Sequence, residues 1–304
     1  MNEPVIETTN LSYHFGTHQV LHDLSISVPA GSIYGFLGHN GAGKTTTIKI
    51  LLSLLQDFHG DALILNKDIR SRRMEILARI GSLVEAPGLY HHLTGWENLR
   101  IRSLLLSVVP EKIVDTLRTV GLMEVKNRLV RHYSHGMKQR LGIALALLSD
   151  PQILILDEPT NGLDPTGIKE IRELLTTLRS LGKTIFLSSH ILSEVEKIIT
   201  DVGIIHKGRL LYGGGVEGLK ASGANLVEFD VLQPDLTREL LTMWGISFES
   251  NHHLINIPCK SNARIAELTD HFVTHGISVI GIRKLEKSLE HVYFELVEKE
   301  MQQT

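Results

Sequence analysis

The segment Gly38-His39-Asn40-Gly41-Ala42-Gly43-Lys44-Thr45-Thr46 stands between a short apolar run, SIYGFLG, and the helical pattern KTTTIKILLSLL. It fits G-x-x-x-x-G-K-[ST], and the chemistry it implies is phosphate binding. Glycines let backbone N–H groups converge on phosphate oxygens at a helix N-terminus, whose partial positive charge favours an anion. Lys44 is expected to reach the β- and γ-phosphates and the Thr45 hydroxyl to ligate Mg²⁺. A plain glycine-rich turn is the bland alternative, and the placing of both Lys44 and Thr45 argues against it.

A second apolar run, ILILDEPT, ends in two carboxylates. Beside a phosphate loop, Asp157 is placed to hold the Mg²⁺ shell, and Glu158 to polarise a water attacking the γ-phosphate. In YSHGMKQR, Ser134 is expected to cap a helix whose next residues include the bare backbone of Gly136, another anion-favouring arrangement. IFLSSHIL puts His190 at the end of the strand after the Asp-Glu strand, so it should lie beside the same site. RIGSLVEAPGLY ends a further apolar run on Glu85, which is either strand-end punctuation or a reagent.

Short buried strands alternating with helices are expected to position these groups. The pattern predicts an α/β fold with a largely parallel sheet covered on both faces. Between about 94 and 150 the periodicity is helical, and TGWE reads as a capping box with Thr94 as N-cap and Glu97 reaching back. Helices are also read at SRRMEILARI and ILSEVEKIIT, and one strand at VGIIHKGRLLY. The glycine-rich YGGGVEG looks like a boundary, after which the pattern restarts as β-α-β-β-α-β with a terminal helix. That order predicts a small α+β, ferredoxin-like domain. The expected organisation is therefore residues 1–219, with a helical subdomain at about 86–150, followed by 220–304.

Net charge is −3, so the total gives no reason to expect nucleic acid or an anionic membrane surface as a partner. The one cysteine, Cys259, cannot form an internal disulfide. MNEPVIETTN lacks a signal-peptide layout, and no run has the roughly 20 apolar residues needed to span a bilayer. The pair His252-His253 has no companion ligand at metal spacing and reads as a polar turn.

Over roughly residues 4 to 215 the chain resembles the ATP-binding subunits of ABC transporters, with every motif in order. GHNGAGKTT is similar to Walker A, YSHGM to the signature motif, ILILDE to Walker B, NGLD with Asp164 to the D-loop, and His190 to the switch histidine. The resemblance implies a P-loop NTPase nucleotide-binding domain with a mixed sheet and a helical subdomain. It also places Phe15 against adenine, with Tyr13 as second choice. Two such domains, in a homodimer or with a close relative, would close head to tail around ATP and Mg²⁺. Each ATP would lie between one chain's Walker A and the other's Ser134 and Gly136, and the motion would drive an integral-membrane permease of about six apolar spans. The chain would then sit on the cytoplasmic face of the membrane, held there by the permease.

Two departures matter. His135 stands where the signature usually has glycine, and its imidazole is expected to bring pH sensitivity if it lies near the γ-phosphate. Glu85 stands where the family normally has glutamine contacting Mg²⁺ and the attacking water; a carboxylate keeps the metal-ligating oxygen but cannot donate a hydrogen bond. VEAPGLY…LTGWENL resembles the subfamily that exports or confers resistance to bacitracin and lantibiotic-type peptides. Sodium, lipid, polysaccharide or drug remain alternative cargoes, because nothing in a nucleotide domain touches substrate. A soluble non-transport ABC ATPase is the remaining class; the short interval between Lys44 and Ser134, without heptads or basic excess, argues against it.

Overall fold

The computed structural model describes residues 3–221, 225–259, 261–285 and 288–303. They form two compact units, Met1–Val216 with Val297–Thr304, and Glu217–Leu296.

In the first unit β1 (Pro4–Phe15), β2 (His18–Leu24) and β3 (Ser27–Pro29) precede β4 (Ile33–Leu37), which feeds the glycine loop and α1 (Lys44–Leu51). Then come β5 (His59–Ile64), β6 (Lys67–Asp68), α2 (Arg73–Leu77) and β7 (Ile80–Leu83). The helical stretch is α3 (Gly95–Leu105), α4 (Pro110–Thr119) and α5 (His135–Leu147). After it follow β8 (Ile153–Leu156), α6 (Pro165–Ser180), β9 (Thr184–Ser189), α7 (Leu192–Val195), β10 (Asp201–His206) and β11 (Arg209–Gly215); α8 (Val216–Ala221) starts on the last residue of this stretch and otherwise belongs to the second unit.

Six strands form the central sheet in the order β11-β10-β4-β9-β8-β7, parallel except for the β10–β11 pair. Every residue of β4, β8 and β9 is buried, which is why these strands read as continuous apolar runs and not as alternations. The N-terminal strands form a separate antiparallel sheet, β2-β1-β5-β6 with β3 on β1. One apolar core joins that sheet to the central one through Ile6, Leu24, Ile48, Phe36 and Phe186.

Three elements differ from the sequence reading. VGIIHKGRLLY is a hairpin, turning at Lys207 (φ +44°) and Gly208 (φ +78°), and its second strand carries the glycine run Gly213–Gly215 paired with β10. The helix expected at ILSEVEKIIT ends at Val195. Its remaining β-branched run is drawn toward β4 instead, with Thr200 N donating to Ile33 O. SRRMEILARI yields only the five residues of α2. The capping box on α3 forms: Thr94 Oγ1 accepts from Glu97 N at 3.1 Å, and Glu97 Oε2 accepts from Thr94 N at 2.8 Å. That backbone donor holds the Glu97 carboxyl below its ordinary range.

The second unit runs β12 (Asn225–Val231), α9 (Pro234–Met243), β13 (Glu249–Asn251), β14 (Leu254–Cys259), α10 (Asn262–Thr274) and β15 (Val279–Leu285), then α11 (Leu289–Gln303), whose last turns cluster with the first unit. Its antiparallel sheet has the order β13-β14-β12-β15. Val227, Phe229, Ile255, Ile257, Leu268 and Phe272 form its core, together with buried Cys259, whose thiol is pushed up by burial.

Candidate functional site

Strand order and register bring the chemistry together. Leu37 of β4 pairs with Ser189 of β9, Leu187 with Leu156 of β8, and Leu156 with Leu83 of β7. The phosphate loop, His190, the Asp157-Glu158 pair and the segment carrying Glu85 therefore all leave the same edge, the carboxyl ends of four adjacent parallel strands.

The loop itself is shaped by glycine where nothing else fits. A Cβ on Gly38 would lie 2.3 Å from Ile205 O, and Gly41 and Gly43 hold φ of +80° and +107°. From outside, the β10–β11 turn braces the loop: Gly208 N donates to Ala42 O at 3.0 Å. Gly43 caps α1 without a side-chain bond, and no acid stands in the helix's first turn, leaving its amides to an anionic ligand. His39, Asn40 and Thr46 complete the loop and the first turn. Lys44 is 5% exposed; its Nζ donates to Gly38 O at 2.7 Å and His39 O at 3.2 Å and pairs with Glu158 Oε1 at 3.2 Å.

The two carboxylates are held differently. Asp157 is buried, accepting from Thr45 Oγ1 at 3.0 Å and from Ser188 Oγ at 2.6 Å. Ser188 Oγ also accepts from Glu158 N at 2.8 Å, so one hydroxyl spaces both acids. Sequence reasoning missed Ser188; the only signal was the pair of serines that ends the apolar run of β9. Glu158 adopts φ +49° and turns its Oε2 to His190, accepting from Nδ1 at 2.8 Å and from the backbone N at 3.3 Å. The carboxylate partner assigns the proton to Nδ1. Glu158 is thus an acceptor-only group held between a lysine and a histidine, suited to take a proton from water. Thr45 and Asp157 present hydroxyl and carboxylate oxygens side by side, the donor set of a hard divalent cation.

Glu85 lies past the end of β7 at φ +60°, about two-thirds exposed, and its Oε1 accepts from Lys49 Nζ on α1 at 2.9 Å. The structure brings it to the phosphate-loop helix and not to Thr45 or Asp157. Such an exposed pair is worth about 0–1 kcal/mol. Glu85→Gln is therefore expected to leave the melting temperature within about 2 °C of wild type, while changing hydrolysis or its coupling to transport. Wild-type values for both would make Glu85 strand-end punctuation.

Ser134, Gly136 and Asp164 assemble elsewhere on the chain. Ser134 caps α5, accepting from Met137 N at 3.2 Å, and Asp164 caps α6, accepting from Gly167 N at 2.8 Å. Among the described residues, the side-chain partners of Lys44, Thr45 and Asp157 are Gly38, His39, Glu158 and Ser188 besides one another, and none belongs to this cluster. Phe15 is 52% exposed, whereas Tyr13 is buried beneath it, edge to face at 4.9 Å. Phe15 is thus the ring free to stack on a base. Phe15→Ala should weaken ATP binding about tenfold, the worth of one stacked base, with an unchanged melting curve, whereas Tyr13→Ala should lower the melting temperature; equal binding by Phe15→Ala and wild type would remove the assignment.

The family model described as ABC transporter matches residues 21–161. Over 298 residues the chain is 42% identical to the bacitracin transport ATP-binding protein BcrA of Bacillus licheniformis, covering 96% of this chain and 97% of that protein. The chain belongs to the ABC transporter ATP-binding family. Another member of this ABC family, the lantibiotic transport ATP-binding protein SrtF of Streptococcus pyogenes, is 41% identical over 207 residues, covering 68% of this chain and 89% of that protein. A solved ATP-binding subunit of an ABC transporter superposes with TM-score 0.64 at 30% identity, covering 72% of this chain and 92% of that one. CbiO1 of Clostridium perfringens, at 24% identity, shares the fold with TM-score 0.68, covering 88% of this chain and all of that one.

Proposed function

We propose that this chain is the ATP-hydrolysing subunit of an ABC exporter that removes an antimicrobial peptide of the bacitracin or lantibiotic type, for resistance or self-immunity. The observation that carries the cargo is the near full-length likeness to the bacitracin transport protein, which extends through the second unit as well as the ATP-binding one. Residues 1–219 are assigned as the ATP-binding domain and 220–304 as an accessory domain.

The mechanism follows from how the side chains are held. The phosphate-loop amides and Lys44 bind the β- and γ-phosphates, and Phe15 stacks on the adenine. Thr45 and Asp157 would hold Mg²⁺, which would supply charge neutralisation on the phosphate oxygens, whereas Glu85 is paired with Lys49 and is not part of that oxygen set. Glu158 accepts a proton from the attacking water while His190 orients the carboxylate through Nδ1. Two chains close head to tail, so that Ser134 and Gly136 of one meet the γ-phosphate held by the other, with Asp164 alongside. Hydrolysis removes the γ-phosphate that both faces share, and the closed state loses its differential contact. No helix among the described residues is long and apolar enough to cross a membrane, so the chain would act at the cytoplasmic face through a permease of about six spans.

The test is to express the chain with its permease in a bacitracin-sensitive bacterium. Bacitracin or lantibiotic tolerance should rise with wild type and not with Glu158→Gln. Normal ATP turnover without any gain in tolerance would reject the peptide cargo and leave the ATPase assignment standing.

A further inference from the structure

The residue that breaks the signature pattern, His135, does not stand free. Its Nε2 lies 3.3 Å from Asn161 O, an acceptor, so Nε2 donates. Asn161 in turn closes the turn that begins at Glu158, with Asn161 N donating to Glu158 O at 3.1 Å. Room for the imidazole comes from Gly162, at φ +72°, where a Cβ would sit 3.4 Å from the His135 Nε2. Beside this contact a Cβ on Gly136 would lie 3.8 Å from the Gly167 Cα, and Arg140 of α5 pairs with Glu170 of α6 at 3.3 Å. The start of α5 therefore rests on the segment leading from Glu158 into α6.

Resting on the ATPase reading above, we infer that His135 is a positioning residue for Glu158 of its own chain. The imidazole ties the helix start that meets the partner's nucleotide to the backbone turn that aims this chain's own base. A glycine there could brace nothing. Because Nε2 donates to a carbonyl in the neutral Nε2–H tautomer as well as in the imidazolium, the tie does not depend on protonation, and the role is one of aim rather than of pH sensing. Arg140–Glu170 keeps α5 and α6 joined without it, so a variant at 135 still folds.

The experiment measures steady-state ATP turnover of wild type, His135→Ala and His135→Gln in the assembled transporter. Loss of one neutral hydrogen bond predicts about fivefold lower kcat for His135→Ala, with KM for ATP unchanged. His135→Gln, whose amide N–H reaches the same carbonyl, should recover most of kcat. The inference is overturned by wild-type kcat in His135→Ala, by equal loss in both variants, or by a rise in KM at constant kcat, which would put the imidazole on the nucleotide. Absence of turnover in wild type would instead overturn the ATPase reading itself.

Discussion

Glu158→Gln is expected to lower maximal ATP turnover at least about a hundredfold, the lower bound for a positioned general base, while leaving ATP binding intact. The amide keeps the volume and one carbonyl oxygen, so His190 Nδ1 retains an acceptor, but it cannot take a proton. Bound ATP then persists, and the closed dimer should accumulate on size-exclusion chromatography in ATP and Mg²⁺ and be absent in ADP. Turnover near the wild-type rate would show that the proton goes elsewhere. The ion pair to Lys44 sharpens the expectation: replacing the carboxylate frees the ammonium from a 3.2 Å competitor, so ATP affinity should be equal to or above that of wild type.

Lys44→Ala should act in the opposite way, on binding before chemistry. Its ammonium is the buried cation of the loop, and charge-assisted bonds of about 1.5–3 kcal/mol correspond to a tenfold to hundredfold loss of ATP affinity. Glu158 would also lose its cationic partner at Oε1, leaving His190 alone to restrain it. Titration calorimetry with a non-hydrolysable ATP analogue reads the loss. An affinity within about threefold of wild type, a difference of well under 1 kcal/mol, would mean that the backbone amides alone carry the phosphates.

Legibility in the sequence followed the range of the interactions. The phosphate loop and the Asp-Glu strand end were readable because each is a local arrangement whose residue types and spacing are set by its own backbone. The TGWE cap was readable for the same reason, since both hydrogen bonds close within one turn. The Lys207-Gly208 hairpin was missed because a lysine at φ +44° gives no turn signal, and the apolar residues on either side ran together. Ser188 and the Glu85–Lys49 pair were invisible for another reason. Their partners lie 31 and 36 residues away and meet only when β4, β9, β8 and β7 align. Tyr13 and Phe15 share a strand face by alternation, and only packing against β2 and the core decides which ring remains open.

The lone cysteine has a practical consequence. Cys259 is buried on β14 with its thiolate disfavoured, so thiol reagents should find little to attack on the folded chain. Cysteines introduced at exposed positions could then carry spectroscopic labels over a nearly silent background, with no need to remove the native one. Labels on the α5 and α1 faces would make the opening and closing of the paired subunits directly visible as a distance.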